Sequence, residues 1–278
     1  MTPYIAVTAL THTGLIREHN EDTLVVGPWT LCGTVTENPQ TLVFPHGNPL
    51  VVAVADGMGG APAGEVASAL VARRLAAIGP TLDSEEAVSD ALNRCNREVY
   101  AAAERDPALA GMGTTVAGVV VLAESLLVFN VGDSRVLDAT QGGERDGGPR
   151  HGGLRLLSRD DNPPLPPGQR ITPILTQALG GAPRFVGITP HVTTSPLAAG
   201  DRYLVCTDGL TDPVPEDELG DLLRSHDDGR AVFELWKAAI EAGGPDNITL
   251  ALLHMGDQHT PAGAADHEHT SALERGPG

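Results

Sequence analysis

Four aspartates stand where a run of β-branched residues meets a turn. Asp56 follows Val51–Ala55 in AVADGMGG, and Asp133 follows Phe129-Asn130-Val131 in NVGDSR. Asp208 follows Leu204–Thr207 in LVCTDGL, and Asp246 precedes Ile248–Leu253 in GGPDNIT. A fifth acidic group, Asn20-Glu21-Asp22, lies just before Thr23–Val26. Strand ends are rigid, and several can converge on one rim of a sheet. Carboxylates gathered there repel one another unless a cation sits among them. Magnesium and manganese take such oxygen ligands, and the Gly57 carbonyl is a further candidate donor. Asp-Gly is also an ordinary turn dipeptide, so any one of these acids taken alone reads first as turn chemistry. Five of them at strand boundaries read as a cation-binding rim.

Arg17, in GLIREHNED, lies four residues before Glu21. A guanidinium beside an acidic metal site can fork onto phosphate oxygens. The same spacing suits a surface salt bridge to Glu18 or Glu21. His12 and His19 flank this segment, and neither has a signal that marks it as catalytic. Gly57-Met58-Gly59-Gly60 lets the backbone approach a ligand, but no Gly-Lys-Ser/Thr follows and GxGxxG does not fit. No Gly-x-Ser-x-Gly elbow is present. Nucleotide cradling and serine-hydrolase chemistry therefore lack support.

The elements that must position these residues alternate between two periodicities. Tyr4–Thr8, Val51–Ala55, Val116–Leu122, Leu126–Val131, Leu154–Leu157, Tyr203–Cys206 and Ile248–Leu253 read as buried strands. Gly64–Ile78, Ser84–Glu104, Glu218–Leu223 and Arg230–Glu241 read as helices, the second opened by Asp83 or Ser84 with Glu86 as capping partner. Glu124-Ser125 is read as the turn of one hairpin and Gly132-Asp133-Ser134 as that of another. Strands, then two helices in succession, then further strands disfavour a doubly wound parallel sheet. They favour an α+β layering in which helix pairs cover sheets. Gly27–Pro49 and Thr140–Gly153 read as irregular, the latter as a mobile loop. Residues 256–278 read as a disordered tail after a single domain over residues 1–255, with His259, His267 and His269 solvated.

Composition narrows the function. With 36 acidic against 18 basic residues in a chain of 278, the formal charge is −18. A nucleic-acid partner bound by counterion release is therefore disfavoured. Hydrophobic residues make up 41% and aromatics only 3%, so the core must be aliphatic. Cys32, Cys95 and Cys206 are too dispersed for a cysteine zinc site or a disulfide framework. No signal peptide is read at the N-terminus. The apolar region Val116–Val131 is broken by Glu124-Ser125, too short to span a bilayer. The expectation is a cytoplasmic protein with no membrane contact.

These segments together resemble the metal-dependent protein phosphatases, the type 2C serine/threonine family. The matching pieces stand in the family's order: Arg17 to Asp22, Val54 to Gly60, Gly64 to Ser68, Gly111 to Thr115, Asn130 to Arg135, Leu175 to Gly181, Cys206 to Asp212 and Asp246 to Thr249. The resemblance covers about Thr8 to Leu253. It implies a four-layer α-β-β-α sandwich with a binuclear manganese or magnesium site on one rim. Asp56 would bridge the two ions, helped by the Gly57 carbonyl, and Asp208 and Asp246 would ligate the first. Glu21 and Asp22 would hold waters or support ligands. Asp133 with Asp208 would match a weaker third position, and Arg17 would bind the substrate phosphate. Two cations roughly 4 Å apart would acidify a water that attacks phosphorus in line, so no phospho-enzyme is required.

Two departures from the family pattern stand out. Met58 occupies the place where many eukaryotic relatives carry a histidine proposed as general acid, as it does in bacterial members, so leaving-group protonation falls to water. Between Leu157–Asn162 and Ile174–Thr176, relatives carry a longer, partly helical flap. Pro163, Pro164, Pro166 and Pro167 here stiffen a short connector that cannot hold helices. Gly27–Pro49 is a candidate substitute wall. The resemblance implies a monomeric hydrolase acting on phosphorylated proteins, substrates of a bacterial serine/threonine kinase. The alternative is an inactive family member that binds phosphoproteins as a partner-switch regulator.

Overall fold

The computed structural model describes residues 3–60, 62–141, 150–165 and 171–256. The tail over 257–278, the centre of the Thr140–Gly153 loop and Pro166 and Pro167 lie outside the described residues.

Two six-stranded sheets form the centre. The first contains β1 (Tyr4–His12), β4 (Gln40–Pro45), β10 (Arg135–Asp138), β11 (Arg155–Leu156), β14 (Arg202–Cys206) and β15 (Ile248–Gly256), in the order β11-β10-β14-β15-β1-β4. The second contains β2 (Thr23–Val26), β3 (Trp29–Cys32), β5 (Leu50–Ala55), β8 (Val116–Val121), β9 (Ser125–Val131) and β13 (His191–Pro196), in the order β13-β9-β8-β5-β2-β3. Three two-residue strands, β6 (Gly57–Met58), β7 (Gly113–Thr114) and β12 (Leu179–Gly180), add a small sheet at one end. Pairing within each six-stranded sheet is antiparallel, as in β1–β15, where Val7 faces Leu253.

The central strands β5 and β8 are apolar without interruption because both of their faces are covered. In β5, Val52 and Val54 point into a core shared by the two sheets, with Val7, Val119, Val205 and Leu253. Val51 and Ala53 point the other way, under α1 (Ala63–Ile78) and α2 (Glu85–Arg105), with Leu75, Leu92 and Phe129. On the far side of the sandwich, Leu204, Leu250 and Leu252 pack under α4 (Glu216–Ser225) and α5 (Asp228–Glu241), against Leu219, Leu223 and Leu235. Fully burying a side chain of this size contributes about 1.5–3 kcal/mol. Three aliphatic cores thus make four layers, α-β-β-α, as expected.

Several local expectations need correction. Gly27–Pro49 is not irregular: it holds β3 and β4. Both are edge strands, paired on one side only. Their outward residues, such as Trp29 and Val43, are exposed, so no buried run marked them in the sequence. β13 escaped notice for the same reason. Glu124 does turn the β8–β9 hairpin, with Val121 facing Leu126. Gly132–Ser134 turns no hairpin, because β9 and β10 belong to different sheets. Gly132 at φ +103° takes the chain across the sandwich, and its N–H donates to Asp161 Oδ2 at 2.8 Å. Ser84, not Asp83, caps α2, accepting from the Ala87 N–H at 3.2 Å. Cys95 and Cys206 are buried and Cys32 half-buried, all three free.

Candidate active site

The acids meet because one end of the sandwich collects the right strand ends. Asp56 directly follows β5, and Asp133 lies between β9 and β10. Asp208 opens the short helix α3 (Asp208–Thr211) two residues after β14, and Asp246 stands two residues before β15. Glu21 and Asp22 immediately precede β2. Arg17, Glu21, Asp56, Gly57, Asp133, Asp208 and Asp246 line one cavity of about 670 Å³, with Met58 beside them. Asp22 is the exception. It is 1% exposed and outside the wall, and Thr207 Oγ1 donates to its Oδ2 at 2.9 Å. None of residues 27–49 lines the cavity, so that segment supplies no substitute wall.

Backbone contacts fix these positions. Asp56 C=O accepts from Thr114 Oγ1 at 2.8 Å and from the Thr115 N–H at 2.9 Å. Thr115 Oγ1 accepts from the Asp56 N–H and bonds to Ser134 Oγ at 2.8 Å, joining the loops that carry Asp56 and Asp133. Gly57 runs so close to its neighbours that a Cβ there would strike the carbonyls of Gly64 and Glu21. A Cβ on Gly64 would fall on the Glu21 carboxylate. Glycine is required at Gly57 by contact with backbone, not by φ, whereas at Gly64 the first group met is the movable Glu21 carboxylate, with the Gly57 backbone carbon 2.9 Å away.

Asn247 is a site residue for which the sequence reading had no role, although it stands in the matched Asp246–Thr249 segment. It is 5% exposed. Its Nδ2 donates to the carbonyls of Thr13 and His19, each at 2.9 Å, and its Oδ1 accepts from the Glu21 N–H at 2.8 Å. One amide thereby clasps the Arg17–Asp22 segment onto the strand end that carries Asp246. Asn162 was noted only as a border of the short connector. Its Nδ2 donates to Asp133 Oδ2 at 3.1 Å and to the Ile174 carbonyl at 3.0 Å. The described part of that connector contains no helix.

The electrostatics are those of acids held together against their repulsion. Burial, reinforced by Asp133, Asp212 and Asp246, pushes Asp208 up to about 8. Burial pushes Asp22 up to about 7, although hydrogen bonds from Thr249 and Thr207 oppose the shift. Asp56 lies well above the ordinary carboxylate range, through burial and the charges of Asp22, Asp208 and Asp246. Burial also raises Asp133 and Glu21. Asp212, one helical turn beyond Asp208 and not foreseen, is raised to about 6 by burial and by Asp133.

The donor set suits a hard divalent cation. Asp22 Oδ1 and Asp208 Oδ1 are buried with no hydrogen-bond partner, an arrangement that costs free energy unless something positive binds them. As the side chains stand, no three described His, Cys, Asp or Glu residues are already grouped to hold an ion. One reason is visible at Asp246, whose Oδ2 is taken by Arg17 Nη2 at 2.7 Å. The oxygens and the uncompensated negative charge fit a cation, and in this structure Asp246 Oδ2 is held by Arg17.

Comparison with known proteins identifies the family and the fold. Residues 40–154 match the family model described as protein phosphatase 2C. The chain is 33% identical over 260 residues to the serine/threonine phosphatase stp of Listeria innocua, spanning 87% of this chain and 93% of that one. It is 31% identical over 276 residues to the serine/threonine protein phosphatase PstP of Mycobacterium tuberculosis, spanning 92% of this chain. It covers 46% of that relative, about half its length. The crystal structure of the catalytic domain of PstP in complex with two manganese ions superposes with a TM-score of 0.70 at 31% identity. That likeness covers 91% of this chain and all of that one. With the sandwich, the acid rim and these likenesses in agreement, the chain belongs to the protein phosphatase 2C family.

Proposed function

We propose that this chain is a manganese- or magnesium-dependent phosphatase of phosphoserine and phosphothreonine in proteins, with residues 1–255 as one catalytic domain. The observation that carries this reading is the shared cavity, in which Arg17 faces a wall of acids from both sheets. Asp56, Asp208 and Asp246, with the Gly57 carbonyl, would hold two cations. Glu21 and Asp22 would support them, and Asp133 with Asp208 would offer a third position. Cations bound there would supply an acidified water for in-line attack and positive charge beside the phosphoryl oxygens.

The chain's own residues do the rest. Arg17, freed from Asp246, presents two N–H groups to the phosphoryl oxygens and orients the phosphorus. Its guanidinium also stabilises charge that develops on those oxygens. Met58 has no proton to give, so the leaving serine or threonine oxygen takes one from water. Asn247 keeps Arg17 and Glu21 in register with Asp246 during the exchange. No helix among the described residues is long and apolar enough to cross a membrane. The partners in this reading are phosphorylated proteins, targets of a bacterial serine/threonine kinase, met by a monomer.

The test is hydrolysis of p-nitrophenyl phosphate by the purified chain in manganese, magnesium and EDTA, with Asp208→Ala as control. Manganese-dependent turnover that disappears in the variant is expected. Manganese binding without turnover on this ester or on phosphopeptides would instead support a phosphoprotein-binding regulator.

A further inference from the structure

The catalytic cavity does not end at the acids. Asp133 and Asp208 line it and also line a neighbouring cavity of about 230 Å³. That cavity shares Arg135, Leu165, Ile171 and Asp212 with a third, of about 440 Å³, bounded by Glu216 and Asp217 at the start of α4. The three adjoin in a row through shared walls, from the Arg17 end to the start of α4.

The row has a sign. Among the described residues lining its two outer cavities, Arg135 is the one arginine or lysine, and it is already committed. It donates to Asp160 Oδ2 from Nη2 at 2.6 Å and from Nε at 3.0 Å, and its Nη1 lies 3.9 Å from Glu216. Beside Arg135 and His151, the described acids on these walls are Asp160, Asp212, Glu216 and Asp217, with Asp133 and Asp208 at the catalytic end. The wall is not only acidic. Leu165 and Ile171, 37% and 53% exposed, stand over the same two cavities. Apolar and acidic side chains on one wall match a lysine or arginine side chain, whose methylene stem needs apolar cover and whose head needs an acid. A chain with a net charge of −18 also gains nothing from an acidic partner.

We propose that this annex binds a basic side chain of the phosphorylated polypeptide, a few residues from the phosphorylated position. The substrate class is therefore phosphoproteins with an arginine or lysine in one fixed register. The inference rests on the phosphatase reading for what occupies the Arg17 end of the row.

The probe is a set of phosphothreonine-mimicking phosphonate peptides in which one arginine is walked through each position on either side. Binding to the manganese-loaded full chain is followed by fluorescence anisotropy, with p-nitrophenyl phosphate turnover measured in parallel. One register should bind about fivefold more tightly than the arginine-free peptide, and added salt should weaken the preference. Glu216→Gln with Asp217→Asn should flatten the profile, while p-nitrophenyl phosphate turnover stays at the wild-type level because that ester is too small to reach the annex. The single Asp217→Asn variant, at an exposed position, should lower the preference part-way. A flat profile in the wild-type chain, or a preference untouched by the double variant, would overturn the annex. Absence of manganese-dependent turnover would overturn the phosphatase reading instead, and the anisotropy profile would still decide the annex.

Discussion

Arg17 Nη2 lies 2.7 Å from Asp246 Oδ2, so the residue proposed to grip phosphate is paired with a residue proposed to grip a cation. The pair is surface-accessible, with the Arg17 side chain 56% exposed. Its Coulomb gain is therefore small and the pair can open. In the proposed mechanism a cation would take the carboxylate and a phosphoryl group the guanidinium, each drawing one partner from the other.

Arg17→Ala separates those roles. Turnover of a phosphopeptide, as kcat/KM, should fall about 100-fold with the loss of a bidentate phosphate contact. Manganese affinity, measured by isothermal titration calorimetry, should hold or tighten because Asp246 Oδ2 is released. A variant that loses manganese binding would show that Arg17 supports the acids rather than competing for them.

Asn247→Ala removes three hydrogen bonds from a buried amide. Two carbonyls and one N–H are then left without their partner, at a cost of about 3 kcal/mol in urea unfolding. Asn247→Asp should cost at least as much, because its carboxylate would face the Thr13 and His19 carbonyls. A change within error of zero in either variant would remove the clasp from the account.

Gly64→Ala tests the packing of Glu21. Alanine is the better helix former by roughly 0.5–1 kcal/mol, so α1 itself gains. The added Cβ falls on the Glu21 carboxylate, which must move, and it also presses on the Gly57 backbone carbon at 2.9 Å. Circular dichroism should be unchanged while manganese binding weakens about tenfold. Unchanged affinity would take Glu21 out of the support proposed for the cations.

The metal-free protein should lose stability as pH rises. Asp22 and Asp208 have folded values of about 7 and about 8, above their ordinary 3.8. Folding therefore takes up protons, and the stability this contributes is complete below about pH 4 and lost as pH climbs through 7 and 8. The Tm in EDTA should fall from about pH 5 to about pH 8, and saturating manganese should oppose the fall. A Tm in EDTA that climbs across that window would mean these acids are ionised and satisfied without a cation.

Much of the fold was legible where burial is two-sided. The runs at Val51–Ala55 and Val116–Val121 are apolar throughout because a sheet lies on one face and helices on the other, and a run of that kind is visible in sequence. β3, β4 and β13 were not visible, since an edge strand covered on one side carries no such run. Gly132–Ser134 had the composition of a hairpin turn, and nothing local distinguishes a turn within a sheet from a crossing between two.

The sequence alone determined which residue types stand at the strand ends, and hence the hard-oxygen chemistry of Asp56, Asp133, Asp208 and Asp246. That information is local, because a turn-forming acid beside a strand is written in a few adjacent residues. Only the tertiary structure decided that Asp22 lies outside the cavity wall, that Arg17 engages Asp246 and that Asn247 binds the two segments together. Arg17 and Asp246 are 229 positions apart in the chain. Their meeting depends on how two sheets stack and which strand ends share a rim. That is set by the burial of three cores taken together, and no short stretch of residues encodes it.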